Sequence, residues 1–145
     1  MTRTFVAAAV IALAACGHKK PEGGKTSDAG PPPLIKSVAV SFESQQDGDV
    51  SHVFLPAMDE TGKVINYPIG DFPGTCASIP PDGADLVTLE CKATAGTVRL
   101  HAIKQNQDVV VLKETIAPGA SPDPMNRDEL QRFTMPIDAK IEAGK

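Results

Sequence analysis

Residues 86–112, LVTLECKATAGTVRLHAIKQNQDVVVL, decide the fold. Val87, Leu89 and Cys91 alternate with Leu86, Thr88 and Glu90, and a period of two places the two sets on opposite faces of an extended strand. After Ala95-Gly96 the pattern repeats over 97–104, with Val98, Leu100 and Ala102 directed inward and Arg99 and His101 directed to solvent. Gln105-Asn106-Gln107-Asp108 reads as a polar hairpin loop. Val109-Val110-Val111-Leu112 is apolar at every position, which marks a central strand covered on both faces. The stretch is a three-strand meander.

The same period extends outward. Val38, Val40 and Phe42 alternate, Asp47-Gly48 signals a turn, and 49–56 reads as the return strand of a hairpin. Glu60-Thr61-Gly62 is a second turn before a strand over 63–67. Pro68 to Gly83 holds four prolines and three glycines and reads as a loop. Arg127 to Arg132 is compatible with a short helix, but Phe133, Met135 and Ile137 alternate, which favours a strand ending near Pro136 at a sheet edge. Six to eight short strands within 34–141 predict a small antiparallel all-β domain, a sandwich or a barrel-like fold, with 142–145 as a tail. The chain lacks the Trp that packs on the disulfide of a strict immunoglobulin domain.

Composition narrows the function classes. A chain of 145 residues, 41% hydrophobic and 22% charged, is enough for one domain. Fourteen basic against eighteen acidic residues give a net charge of −4, which offers no Lys/Arg excess for a phosphate backbone and excludes a basic nucleic-acid binder. One Tyr and no Trp argue against stacking on sugars.

The first sixteen residues, MTRTFVAAAVIALAAC, follow a different logic. Arg3 supplies a positive start, and residues 4–15 form an uncharged stretch of twelve, short of the roughly 20 residues that cross a bilayer. Leu13-Ala14-Ala15-Cys16 resembles the lipobox of bacterial lipoprotein precursors. The resemblance covers residues 1–16 and implies that 1–15 are cleaved as a signal peptide and that Cys16 becomes a lipidated N-terminus. Gly17, where an Asp would favour inner-membrane retention, points to an outer-membrane or surface address. Two or three acyl chains hold firmly, at about 0.8 kcal/mol per buried CH₂. Loss of Arg3 leaves 13 basic and 18 acidic residues, a net −5, so the lipid and not anionic headgroups is expected to anchor the chain to the membrane.

Residues 17–33, GHKKPEGGKTSDAGPPP, have too little apolar surface to offset chain entropy and are expected to be a disordered tether. Such a tether reaches about 20–25 Å. With Cys16 assigned to lipid by the resemblance, Cys76 and Cys91 remain in a chain bound for an oxidising space, and their pairing is unique. A bridge between them is expected to staple the 68–83 loop to the strand ending at Cys91.

Catalytic and cofactor motifs are missing. The chain contains no G-x-S-x-G, G-x-x-x-x-G-K, G-x-G-x-x-G or C-x-x-C. His52 and His101 could share a metal with Asp47 or Asp49, but the spacing fits no ligand motif; Asp47-Gly48-Asp49 lacks the later Glu of a calcium loop. No catalytic residue, metal or cofactor is therefore assigned. The expectation is a lipid-anchored envelope protein whose β-domain is a non-catalytic interaction or structural module with a protein partner. The alternative is a small-ligand-binding or inhibitor module presenting a 68–84 loop.

Overall fold

A computed structural model describes residues 34–144. Those residues form ten strands: β1 (Ser37–Val40), β2 (Glu43–Asp47), β3 (Val50–Asp59), β4 (Val64–Pro73), β5 (Thr75–Ile79), β6 (Asp85–Ala93), β7 (Gly96–Gln105), β8 (Asp108–Ile116), β9 (Arg127–Thr134) and β10 (Lys140–Ala143). They make two five-stranded sheets packed as a small β-sandwich. The signal peptide, Cys16 and the tether expected over 1–33 lie outside the described residues.

The first sheet is built on β3. Its side chains alternate: Ser51, Val53, Leu55 and Ala57 are buried, while Val50, His52, Phe54, Pro56 and Met58 lie on the outer face. β4 pairs along one side of β3, and β1 and β2 share the other side end to end. The break between them places Phe42 in the core and leaves Ser41 N–H donating to the Pro56 carbonyl at 3.1 Å. β10 pairs with β1 in parallel, so this sheet is mixed and not wholly antiparallel. Glu142 and Ala143, expected in a tail, belong to that strand.

The second sheet is the antiparallel meander β5-β6-β7-β8-β9. β8 sits between β7 and β9 with Val109, Val110 and Val111 buried, as an uninterrupted apolar run demands. Residues 127–132 are strand, and β9 lies at the sheet edge and ends at Thr134. Leu89, Cys91, Leu100, Ala102, Val109 and Val111 face Val40, Val53 and Leu55 of the other sheet across the core. β4 traverses the second sheet. Its Tyr67 stacks on Phe133 of β9 at 4.2 Å between ring centroids, and its far end turns at Gly74 directly into β5.

The loop expected over 68–83 is not there. Residues 68–73 complete β4, 75–79 form β5, and only 80–84 connect irregularly to β6. Pro68 and Pro73 are tolerated because β4 is an edge strand, where a missing N–H interrupts no ladder on the open side. Gly74 makes the corner between sheets at φ +94°, with its N–H donating to the Asp49 carbonyl at 2.8 Å. A Cβ there would lie 2.0 Å from the Lys92 carbonyl oxygen, so no other residue fits.

Candidate functional site

Cys76 and Cys91 form a disulfide. They are register partners on β5 and β6, so the bridge joins an edge strand to its neighbour and not a loop to a strand. Cys91 is fully buried in the core. Closing a loop across a separation of 15 residues stabilises the fold by about 3 kcal/mol in the chain-entropy model.

His52 and His101, the two histidines among the described residues, lie on different sheets and share no partner. His52, on the outer face of β3, has Nδ1 2.6 Å from Asp71 Oδ1 of β4 and Nε2 3.6 Å from Asp47 Oδ2. The hydrogen bond and charge of Asp71 raise the His52 pKa above its ordinary 6.5, with a smaller upward push from Asp47. Asp49 contributes only its backbone, at the Gly74 corner. Among the described residues, no three His, Cys, Asp or Glu side chains converge on a point that could hold a metal ion.

His101 does not face solvent. It is fully buried, on the outer face of the second sheet, at the centre of a charged cluster drawn from four consecutive strands. Its Nδ1 lies 2.5 Å from Asp85 Oδ2 of β6 and its Nε2 2.9 Å from Glu114 Oε1 of β8. Thr88 Oγ1 donates to the same Asp85 oxygen at 2.8 Å. Arg127 of β9 reaches Asp85 Oδ1 and Asp82 Oδ2, each at 3.3 Å, and its Nε, buried without a hydrogen-bond partner, lies 3.8 Å from Glu114 Oε1. An ionised carboxylate only accepts, so each of the two contacts holds one proton, on the ring nitrogen or on the carboxyl it faces.

The cluster is covered because it pins the loops that cover it. Glu114 Oε2 accepts the Asp123 N–H at 2.6 Å, which holds the 117–126 connection against the sheet. Arg127 holds the 80–84 connection through Asp82. Between them lies an open depression of about 440 Å³ lined by Asp82, Asp85, Ile103, Leu112, Pro124 and Arg127. A second depression of about 320 Å³, with Phe42, Ile79, Pro81, Leu86 and Val87 in its lining, sits where the edges of the two sheets part.

Chemically the cluster is a latch. Thr88 gives its proton to Asp85 and not to His101, and both ring nitrogens already face carboxylates, so no nucleophile–base pair is assembled. Sequence reading missed Asp85, His101, Glu114 and Arg127 as a group. A signal was present: the apolar run Val109–Leu112 within β8 implies a covered outer face, and β8 pairs Leu112 with His101. Tyr67 is engaged with Phe133 and offers no free platform.

No family model, no curated protein and no solved structure matches the chain.

Proposed function

We propose that this protein is a bacterial cell-envelope lipoprotein, cleaved before Cys16 and held to the membrane by lipid on that residue, with an extracytoplasmic β-domain that acts as a non-catalytic interaction or structural module. The observation that carries the reading is the order of Arg3, the apolar stretch 4–15 and Leu13-Ala14-Ala15-Cys16. A disulfide across β5 and β6 agrees with folding in an oxidising compartment. Gly17 favours an outer-membrane or surface position.

Three features support a module over an enzyme. Among the described residues, the buried cluster around His101 closes on itself. The depressions beside Arg127 and beside Phe42 are open to solvent. The outer face of the first sheet carries Phe54, its register partner Pro68, and Pro56, apolar side chains of the kind that protein contacts use. The inhibitor alternative relied on a long presented loop, and 68–79 are strands instead.

Fractionation of cells carrying Cys16→Ser tests the anchor: the variant is expected in the soluble fraction or uncleaved, and its continued membrane retention in mature form would break the reading. Crosslinking from intact cells, followed by identification of adducts on residues of the outer face, tests the module. Adducts that vanish in Phe54→Glu support it.

A further inference from the structure

Ile35, where the β-domain begins, precedes β1 at one end of the sandwich, and that end carries most of the exposed large apolar side chains of the domain's described residues. We infer that this end rests on the lipid bilayer that holds Cys16, an inference that depends on the anchor reading above. From Ile35 onward six large apolar side chains are exposed, and four of them, Met58, Val64, Ile65 and Ile137, belong to this end. Met58 and Val64 are register partners beside the β3–β4 turn, and Ile65 follows on β4. Ile137, 84% exposed, tops the 135–139 crossing between β9 and β10. The other two, Val50 and Met125, lie at the far ends of β3 and β9.

Topology gathers these residues. Glu60 of the β3–β4 turn accepts the N–H groups of Lys36 and Ser37, at 2.9 and 2.6 Å, which fixes the start of β1 against that turn. Lys140 N–H donates to the Lys36 carbonyl at 2.8 Å, which brings in the end of the 135–139 crossing. Met135 and Ala139 are buried on either side of Ile137, so the crossing is anchored at both feet while its apex projects outward.

The charges at this end suit a bilayer surface without requiring anionic lipid. Asp59 turns back to accept Thr61 and Lys63 N–H, and Glu60 is engaged as above, so neither carboxylate projects. Asp138 and Glu142 remain exposed and offset Lys36, Lys63 and Lys140, whose aliphatic stems can lie along the interface with the ammonium groups among the headgroups. The occupant is therefore apolar before it is charged. A tether of 17 residues raises the local concentration of this end at the bilayer to the millimolar range, so a contact too weak to bind from solution is populated. The opposite end, with Met125 and the 117–126 connection, then faces away from the membrane.

The absence of Trp makes the test direct, since one introduced Trp is the sole indole reporter. Mass spectrometry of Cys16 in the cell-made protein decides the anchor reading by itself. Separately, the full chain with its Cys76–Cys91 bridge formed is coupled through Cys16, its remaining thiol, to maleimide lipid in phosphatidylcholine vesicles with brominated acyl chains. Ile137→Trp and, as a second reporter, Val64→Trp are expected to lose roughly half their emission to the bromines, as for side chains seated at the headgroup–acyl boundary. Met125→Trp is expected to be unquenched, and Met58→Glu combined with Ile137→Trp to abolish the quenching. Equal emission with brominated and ordinary lipid at both near-end reporters, on protein shown to be attached, overturns the docking whether or not Cys16 proves lipidated. Crosslinks from Met58 and Val64 to an envelope protein in place of quenching overturn it also, in favour of a protein partner.

Discussion

Replacing His101 by Leu isolates what the buried cluster contributes. The substitution is close in volume, and on packing alone it should cost less than about 1.5 kcal/mol. Electrostatics predicts far more. His101 is fully buried and Asp85 and Glu114 are each 1% exposed, so its loss leaves two carboxyl groups out of water, each without the ring nitrogen that faced it, and with Arg127 as the neighbouring cation. Two charge-assisted hydrogen bonds vanish with it. Stripping one partner from a buried ion pair costs about 3–5 kcal/mol, a large share of the 5–15 kcal/mol that holds a domain of this size. The expected fall in Tm is on the order of 15–25 °C. Urea unfolding of the oxidised protein, followed by far-ultraviolet circular dichroism, measures the loss. A quadruple variant, Asp85→Leu with His101→Leu, Glu114→Leu and Arg127→Leu, removes the whole charged cluster and should recover most of the lost stability, less the anchoring of Asp123 N–H and of Asp82. A single variant that loses under about 1.5 kcal/mol, or a quadruple variant no better than the single, would refute the electrostatic account.

The same structure makes further predictions. Replacing both Cys76 and Cys91 by Ala should lower stability by about 3 kcal/mol, and the native protein should show no titratable thiol at either position until it is reduced. Gly74→Ala should cost at least about 3 kcal/mol, because strain at positive φ adds to a clash with a backbone carbonyl that cannot rotate away; Gly48→Ala, at φ +63° in open space, serves as the milder control in the same unfolding assay. The His52 ring should titrate above 6.5 in proton NMR and fall back in Asp71→Asn, since the Asp71 hydrogen bond is the main cause of the upward shift. A raised folded-state pKa places the stabilisation from this pair below pH 6.5 and removes it as pH climbs through the raised value, so stability that grows with pH across that window on account of this pair contradicts the assignment.

Much of the sandwich was legible. Alternation over 38–42, 86–91 and 97–104 identified strands and, for the apolar set, the face that would be buried, because extended backbone directs neighbouring side chains oppositely; 49–56 was legible as a strand, without its buried face. The fate of the other face was not legible in the same way. His101 occupies a polar position in an alternating strand, and nothing local distinguishes a solvated face from one covered by connections that arrive 16 and 22 residues away in sequence, at Asp85 and Asp123. Proline and glycine misled over 68–79 for a related reason: both mark loops on average, yet an edge strand leaves one row of N–H groups unused, and whether β4 lies at an edge is a property of the assembled sheet.

The sequence alone determined the cysteine arithmetic and the N-terminal pattern. Cys16 stands in a lipobox-like context, and once it is set aside on that resemblance Cys76 and Cys91 are the pair left to join, since covalent chemistry and composition need no neighbours to be read. Tertiary structure alone decided where the pair sits, on two adjacent strands, and that Asp85, His101, Glu114 and Arg127 form one buried cluster. Those contacts join residues up to 42 positions apart. Their energies depend on which water is excluded, and no local pattern carries that until the chain has closed over the site.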